Sequence, residues 1–169
     1  LTVVSTDAIS TSGTLTISTK GDFETRKDGG ATITIANNSE IAELSAESRN
    51  AADNANAAGD ISISLAESST LDQLTTTGVL TLTGANTKTF TQTGTSALTT
   101  DELLLLGAGA THDLSAGTNA VTTLAADTGS ILLTEADGIA IGSIGGTDGI
   151  ATTGNTVMDI SGTITQTQA

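Results

Sequence analysis

Short stretches in which Thr or Ser alternates with Ile, Leu or Val recur along the whole chain. Alternation with a period of two residues predicts β-strands that bury one face. The pattern, or a short apolar run of the same length, occurs at 14–17, 32–35, 60–65, 79–83, 103–106 and 131–133. The sequence therefore predicts an all-β fold.

The distances between equivalent positions predict how these strands are arranged. They are 18 residues from Ile17 to Ile35, 28 to Ile63, 19 to Leu82, and 20 in each step of Leu124, Ile144 and Ile164. A propeller blade needs about 40 residues, whereas one coil of a β-helix fits a period of this length. Gly or Asn stands near the expected corners, as at Gly29–Gly30, Asn37–Asn38, Gly78 and Gly145–Gly146. We therefore expect a parallel β-helix of roughly seven to nine coils, each of about 18 to 28 residues, forming a single unit over residues 1–169.

One segment leaves two interpretations open. Residues 39–53 are rich in Ala and Glu, and Ser39 is a suitable helix cap. The same residues also fit a longer coil after the Asn37–Asn38 corner, so either a short helix or additional strand is expected there.

The composition suits stacked layers. Trp, Tyr, Pro and Cys are absent, and the only two aromatic residues are Phe23 and Phe90. A core of Ile, Val, Leu and Ala with Thr on the outside fits evenly stacked strands. The net charge of −14 disfavours nucleic acid and anionic membrane surfaces as partners. No apolar run approaches the roughly 18 residues of a membrane span, so we expect no membrane insertion. The start at Leu1 suggests a mature region or an internal piece of a longer repetitive protein.

Acidic residues are the first candidates for chemistry, because glycoside hydrolysis uses two carboxylates. They are abundant in the first half of the chain, at Glu24, Asp28, Glu40, Glu43, Glu47, Asp53, Asp60, Glu67 and Asp72. Lys20, Arg26 and Lys27 form a small basic group near them. A solvated charged face explains both groups, so we identify no catalytic residue and expect no enzyme.

His112 is the only histidine and precedes Asp113. The chain has no G-x-S-x-G elbow and no HExxH spacing, so neither a serine triad nor a zinc site is indicated. We interpret His112 as a solvent-facing loop residue and expect no metal ligand.

Calcium and ice are the remaining ligands that sequence patterns in this chain suggest. Residues 145–149, GGTDG, resemble a calcium-binding repeat but have a different spacing. We therefore expect no cofactor, with structural calcium as the minor alternative. Thr-x-Thr pairs occur at 14–16, 32–34 and 81–83, and alternate Thr residues run from 87 to 95. They would order water only if they aligned on one face, and Thr is also a favourable solvent-facing strand residue.

The stretch TTLAADTGSILLTEADGIAIGSIGGTDGIATTGNTVMDISGTITQ, residues 122–166, resembles coils of very large bacterial exoproteins. These are the filamentous-haemagglutinin-like and autotransporter-like adhesins, and the resemblance extends over residues 78–166. It implies a right-handed parallel β-helix, export to the bacterial outer surface, and a stalk or adhesion role. No binding residue of that family can be transferred to a position of this chain.

The expected function is thus a structural or adhesive segment of a large secreted or cell-surface bacterial protein. Its partners would be a host or neighbouring-cell surface, a carbohydrate, or further coils of the same chain stacked end to end. An ice- or carbohydrate-binding solenoid is the alternative, and a polysaccharide-active enzyme is a weaker one. Residues 20–75 hold the longest coil and most acids, so a specific site is expected there, whereas the final third is expected to be a regular scaffold. No ligand-binding residue is assigned.

Overall fold

Parallel strands stack into a β-solenoid of about seven turns with about 23 residues per coil in the computed structural model. The structure describes residues 1–167, and the side chains of all of these except Asn37 and Asn38. No residue in this range is helical. The expected all-β parallel solenoid is confirmed.

Fifteen strands carry the stack, and several of them continue around corners of the coil. They are β1 (Thr2–Ser5), β2 (Ile9–Ser10), β3 (Thr16–Arg26), β4 (Ile33–Arg49), β5 (Ile61–Leu65), β6 (Ser69–Thr75), β7 (Val79–Gly84), β8 (Thr89–Leu114), β9 (Thr118–Glu135), β10 (Ile139–Ile141), β11 (Ser143–Ile144), β12 (Thr147–Asp148), β13 (Ile150–Thr152), β14 (Thr156–Ile160) and β15 (Ile164–Gln166).

Each full coil passes through three parallel ladders. In β9 the first ladder takes residues 123–128, the second takes 130–135 and the third takes 118–121. All strand pairs are parallel except the short β11–β12 hairpin and an isolated bridge between Arg49 and Asn56. Shifts in register, such as that between Gly107 and Thr111, mark corners where the chain turns from one ladder to the next.

Two apolar columns run through the interior of the first ladder. One column contains Ile33, Ile61, Leu80, Leu103, Leu124 and Ile141, which pair in that order on successive coils. The second contains Ile35, Ile63, Leu82, Leu105, Ala126 and Ile150. The first five members of each column are buried. Because neighbours cover each side chain from above and below, no single coil has a core of its own.

In the first half of the chain the register corrects one of the spacings expected from sequence and confirms two. Ile17 pairs with Ile41 and not with Ile35, because Ile17 lies in the second ladder, whereas Ile35 lies in the first, where Ile9 pairs with Ile33. Ile35 with Ile63, and Ile63 with Leu82, pair as expected. Residues 39–49, for which helix and strand were both open, belong to β4, and residues 50–53 lie outside any strand.

The final third is not the regular scaffold that was expected. Leu124 pairs with Ile141 and not with Ile144, and Ile164 pairs with Ile139. Ala126 comes two residues after Leu124, but its partner Ile150 comes nine residues after Ile141, the partner of Leu124. Residues 142–149 are therefore an insertion at a point where a regular ladder would have a single residue. They form the β11–β12 hairpin, which we call the clip. Gly149 N donates to Gly142 O at 2.8 Å and closes the clip at its base.

The clip covers an apolar patch on the outside of the first ladder. The outward column changes from Thr34, Ser62 and Thr81 to Leu104 and Ala125. Ile144 packs on Leu104 and Ala125, and each of the three is less than a tenth exposed. Gly145 and Gly146 at the tip have φ angles of 59° and 86°, which suits a tight two-residue hairpin turn.

Candidate functional site

A groove of about 220 Å³ lies at the corner where the third ladder leads into the first. We call it the corner groove. Its outer wall is formed by Thr77, Asp101, Thr122 and Asp137, one from each of four successive coils, and all four are exposed. Within residues 1–167, none of these side chains takes part in a hydrogen bond or an ion pair. The wall therefore presents two hydroxyls and two carboxylates that are free to bind a ligand.

The floor of the corner groove is held by buried polar contacts. The Thr76 hydroxyl donates to Gly59 O at 2.7 Å, and the Thr100 hydroxyl lies 2.9 Å from Gly78 O. Both threonines are buried, so their hydroxyls replace backbone hydrogen bonds that the corners interrupt. The floor is consequently fixed from coil to coil.

Glu135 is the buried carboxylate of this floor and is fully covered. Its Oε2 accepts a hydrogen bond from Val121 N at 3.0 Å, and its Oε1 accepts one from Asp137 N at 3.3 Å. Burial raises the pKa of Glu135, while the backbone N–H donors oppose that rise. This side chain links two coils at the point where the chain turns into β10.

The charged residues in the first half form ion pairs between coils. Lys20 contacts Asp72 and lies 3.5 Å from Glu43, and the Ser45 hydroxyl donates to Asp72 at 3.2 Å. The hydrogen bond to Asp72 is the main reason that the pKa of Lys20 is raised. These partners come from three coils, so the group fastens the stack along its axis.

The expected basic group does not come together. Arg26 contacts Glu24 and lies 3.0 Å from Asp53, whereas Lys27 lies 2.9 Å from Asp7. Each of Lys20, Arg26 and Lys27 thus has its own acidic partner on the surface. Exposed pairs of this kind contribute little to stability individually.

His112 was expected in a solvent-facing loop, and that interpretation is wrong. It lies in β8, is fully buried, and stacks on Phe90 with a centroid distance of 5.4 Å. Its Nε2 is 3.2 Å from Leu106 O, whereas its Nδ1 has no partner within the described residues. Burial lowers the pKa of His112 to about 4, although the contact with the Leu106 carbonyl opposes this.

His112 and Asp113 do not form part of a triad. Asp113 accepts a hydrogen bond from the Ser115 hydroxyl at 2.5 Å, while His112 faces the core. Among residues 1–167, no three His, Asp or Glu side chains are grouped so that they could hold a metal ion. The GGTDG segment forms the tip and second strand of the clip.

The Thr-x-Thr pairs lie on different ladders. Thr16 pairs with Glu40 in the second ladder, whereas Thr81 lies between Ser62 and Leu104 in the first. Thr34, Ser62 and Thr81 form a short hydroxyl column that ends at Leu104.

The corner-groove residues were not singled out from the sequence, because no local motif contains them. Each coil contributes one or two residues, and only stacking brings them together. One sequence signal could have located the groove. A pair of Thr residues recurs at or just before the start of successive strands of the first ladder, at 76–77, 99–100 and 122–123.

No protein-family model, curated protein or solved structure matches this chain. The part of the chain that the structure describes contains no helix long and apolar enough to cross a membrane.

Proposed function

We propose that this chain is a structural and adhesive β-solenoid segment of a large secreted or cell-surface bacterial protein. The observation that carries the proposal is the pair of unbroken apolar columns, which join the coils from Ile33 to Ile141 and from Ile35 to Ile150. Seven turns at about 4.8 Å per layer make a rod about 35 Å long. A rod of this kind suits a stalk that projects other regions and presents its sides for contact.

The surface supports contact that is weak and repeated. All five Lys and Arg residues have an acidic partner at 4 Å or less, and most of the acids have none, so the rod is strongly negative. Such a surface repels anionic partners, so the proposed contacts are with neutral or positively charged surfaces. Many weak contacts along a stalk would give useful avidity. In this proposal the segment performs no catalysis.

The repeat style of residues 78–166 supports the finer proposal of a filamentous-haemagglutinin-like or autotransporter-like exoprotein on the bacterial outer surface. The stack also supports end-to-end association with further coils. Ile164 continues the column of Ile139 and is 49% exposed on its open side. A further coil would cover this side chain.

The test compares the monomer with a multivalent form. Beads that carry many copies should attach to an epithelial-cell monolayer, whereas the free monomer should show no saturable binding at micromolar concentration. Beads that carry Leu103→Asp, in which the stack is disrupted by a buried charge, are the control. Failure of the wild-type beads to attach more than the control beads would contradict the proposal.

A further inference from the structure

The corner groove extends along the axis of the solenoid. Thr76 N donates to Thr99 O, and Thr99 pairs with Ala120, so Thr77, Asp101 and Thr122 are on successive coils. With about 4.8 Å between coils, the wall from Thr77 to Asp137 is about 14 Å long. Its free oxygens therefore form a line rather than a cluster.

A line of oxygens suits an elongated ligand better than an ion. The carboxylates of Asp101 and Asp137 belong to different coils, and no three acidic side chains in the described part of the chain converge on one point. The ligand must also be without negative charge, because the groove contains carboxylates and no Lys or Arg. Hydroxyl groups fit both conditions, since carboxylates and Thr hydroxyls accept hydrogen bonds from them. They also suit a wall in which carboxylates alternate with neutral Thr hydroxyls better than an unbroken row of ammonium groups would.

The spacing of the line fits one polymer class in particular. Successive coils are about 4.8 Å apart, so a linear polymer whose units are about as long as one pyranose ring can place successive units against successive coils. The floor is already fixed by Thr76, Thr100 and Glu135, so little ordering is required when a ligand binds.

We propose that the corner groove binds a neutral, unbranched oligosaccharide that lies along the solenoid axis. This inference rests on the proposed contact function and gives it a site and a ligand class. Asp101 and Asp137 accept hydrogen bonds from sugar hydroxyls, and Thr77 and Thr122 add further contacts. No aromatic side chain lines the groove, so a dissociation constant that is roughly millimolar is expected for one site. Many copies on one surface would raise the effective affinity.

The experiment titrates the folded chain with soluble neutral hexaoses, made of glucose or mannose with α or β linkages, and follows backbone amide shifts by NMR. At least one hexaose should shift the amides around Thr77, Asp101 and Thr122. Asp101→Ala should weaken that binding by at least about fivefold, because a hydrogen bond to a charged group is lost. Asp127→Ala, an exposed acid on the first ladder outside the groove, is the matched control and should bind as the wild type does.

Three results would overturn the proposal. They are no shift with any neutral hexaose, equal loss of binding in the Asp101 and Asp127 variants, and equally strong binding of an acidic hexaose such as hexagalacturonate. The bead assay separates this inference from the function on which it rests. If beads attach but no hexaose binds, the groove proposal fails alone, whereas hexaose binding without bead attachment contradicts the adhesive function.

Discussion

The buried imidazole of His112 should make the protein sensitive to mild acid. His112 is fully covered and stacks on Phe90, and its Nδ1 has no hydrogen-bond partner among residues 1–167. Protonation would place a positive charge on a ring that has no acidic partner and one contact with a carbonyl, that of Leu106. Protonation of His112 is therefore less favourable in the folded chain than in the unfolded chain.

The magnitude follows from the two pKa values. Burial lowers the pKa of His112 to about 4 in the folded chain, while the unfolded value is 6.5. Between these values the unfolded state binds more protons, so stability is fully present above pH 6.5 and is lost as the pH falls towards 4. From pH 7.5 to 4.5 this single residue should lower the free energy of unfolding by about 2 to 3 kcal/mol.

Comparison with His112→Leu isolates this effect from the titration of the 19 acids, which both proteins share. At pH 7.5 the two should differ by no more than about 1.5 kcal/mol, because Leu is similar in size and loses one hydrogen bond. Urea unfolding at a series of pH values should then show the unfolding free energy of the variant rising by about 2 to 3 kcal/mol relative to the wild type by pH 4.5.

NMR provides a direct measurement, because the chain contains only one histidine. Its ring proton should titrate near pH 4 in the folded protein and near 6.5 in concentrated urea. A folded-state midpoint between 6 and 7, or a stability difference between wild type and His112→Leu that does not change with pH, would refute the reasoning.

Three other substitutions test the stack by urea unfolding. Leu103→Ala should lower the unfolding free energy by about 2 to 5 kcal/mol, because it empties the centre of an inner column; an equal loss for the outward, half-buried Leu132→Ala would contradict this. Gly107→Ala should be severely destabilising, since its φ is 118° and a Cβ would lie 2.1 Å from a backbone oxygen. Gly94→Ala should be tolerated, because a Cβ there would meet Ala116 O at 3.7 Å, an ordinary van der Waals contact. Ile144→Ala should cost about 2 kcal/mol and expose the patch beneath the clip to hydrophobic dyes, and unchanged dye binding would argue against the clip as a cover.

Strand positions could be predicted from the sequence because most coils keep the alternation with period two, and the coil with Leu103–Leu106 replaces it with a short apolar run. Register was less predictable, since corners add residues that no pattern counts. Ile35, Ile63 and Leu82 were matched correctly because each lies inside a clear alternating run. Ile17 was matched wrongly because a strand of the second ladder has the same alternating pattern as a strand of the first, to which Ile35 belongs.

The burial of His112 could have been anticipated from its phase. Leu114 is two residues later and faces the core, so His112 has the same phase within β8. Phe90, on which it stacks, is 22 residues earlier, which is close to the coil length. Composition conceals this signal, because THDLS reads as a polar loop. The corner groove had no such local signal, since it exists only when four coils are stacked.

The clip covers the outward-facing part of the run of four leucines at 103–106, and this accounts for the presence of both features. Leu103 and Leu105 fill the two inner columns, so Leu104 and Leu106 must point outward at positions where earlier coils carry Thr. An uncovered Leu104 would expose apolar surface on the side of the rod. The clip covers this surface with residues that come about 40 positions later in the chain. It leaves the first ladder at the position where a residue would pair with Ala125, and Ile144 packs on both Leu104 and Ala125. Ile144 can cover Leu104 only if the clip leaves the first ladder at this position. A shift in the register of β10 against β9 would therefore expose Leu104 and Ala125, and it would also move Ile141 away from Leu124. The clip therefore favours one register in the last coils, where the inner columns are least buried.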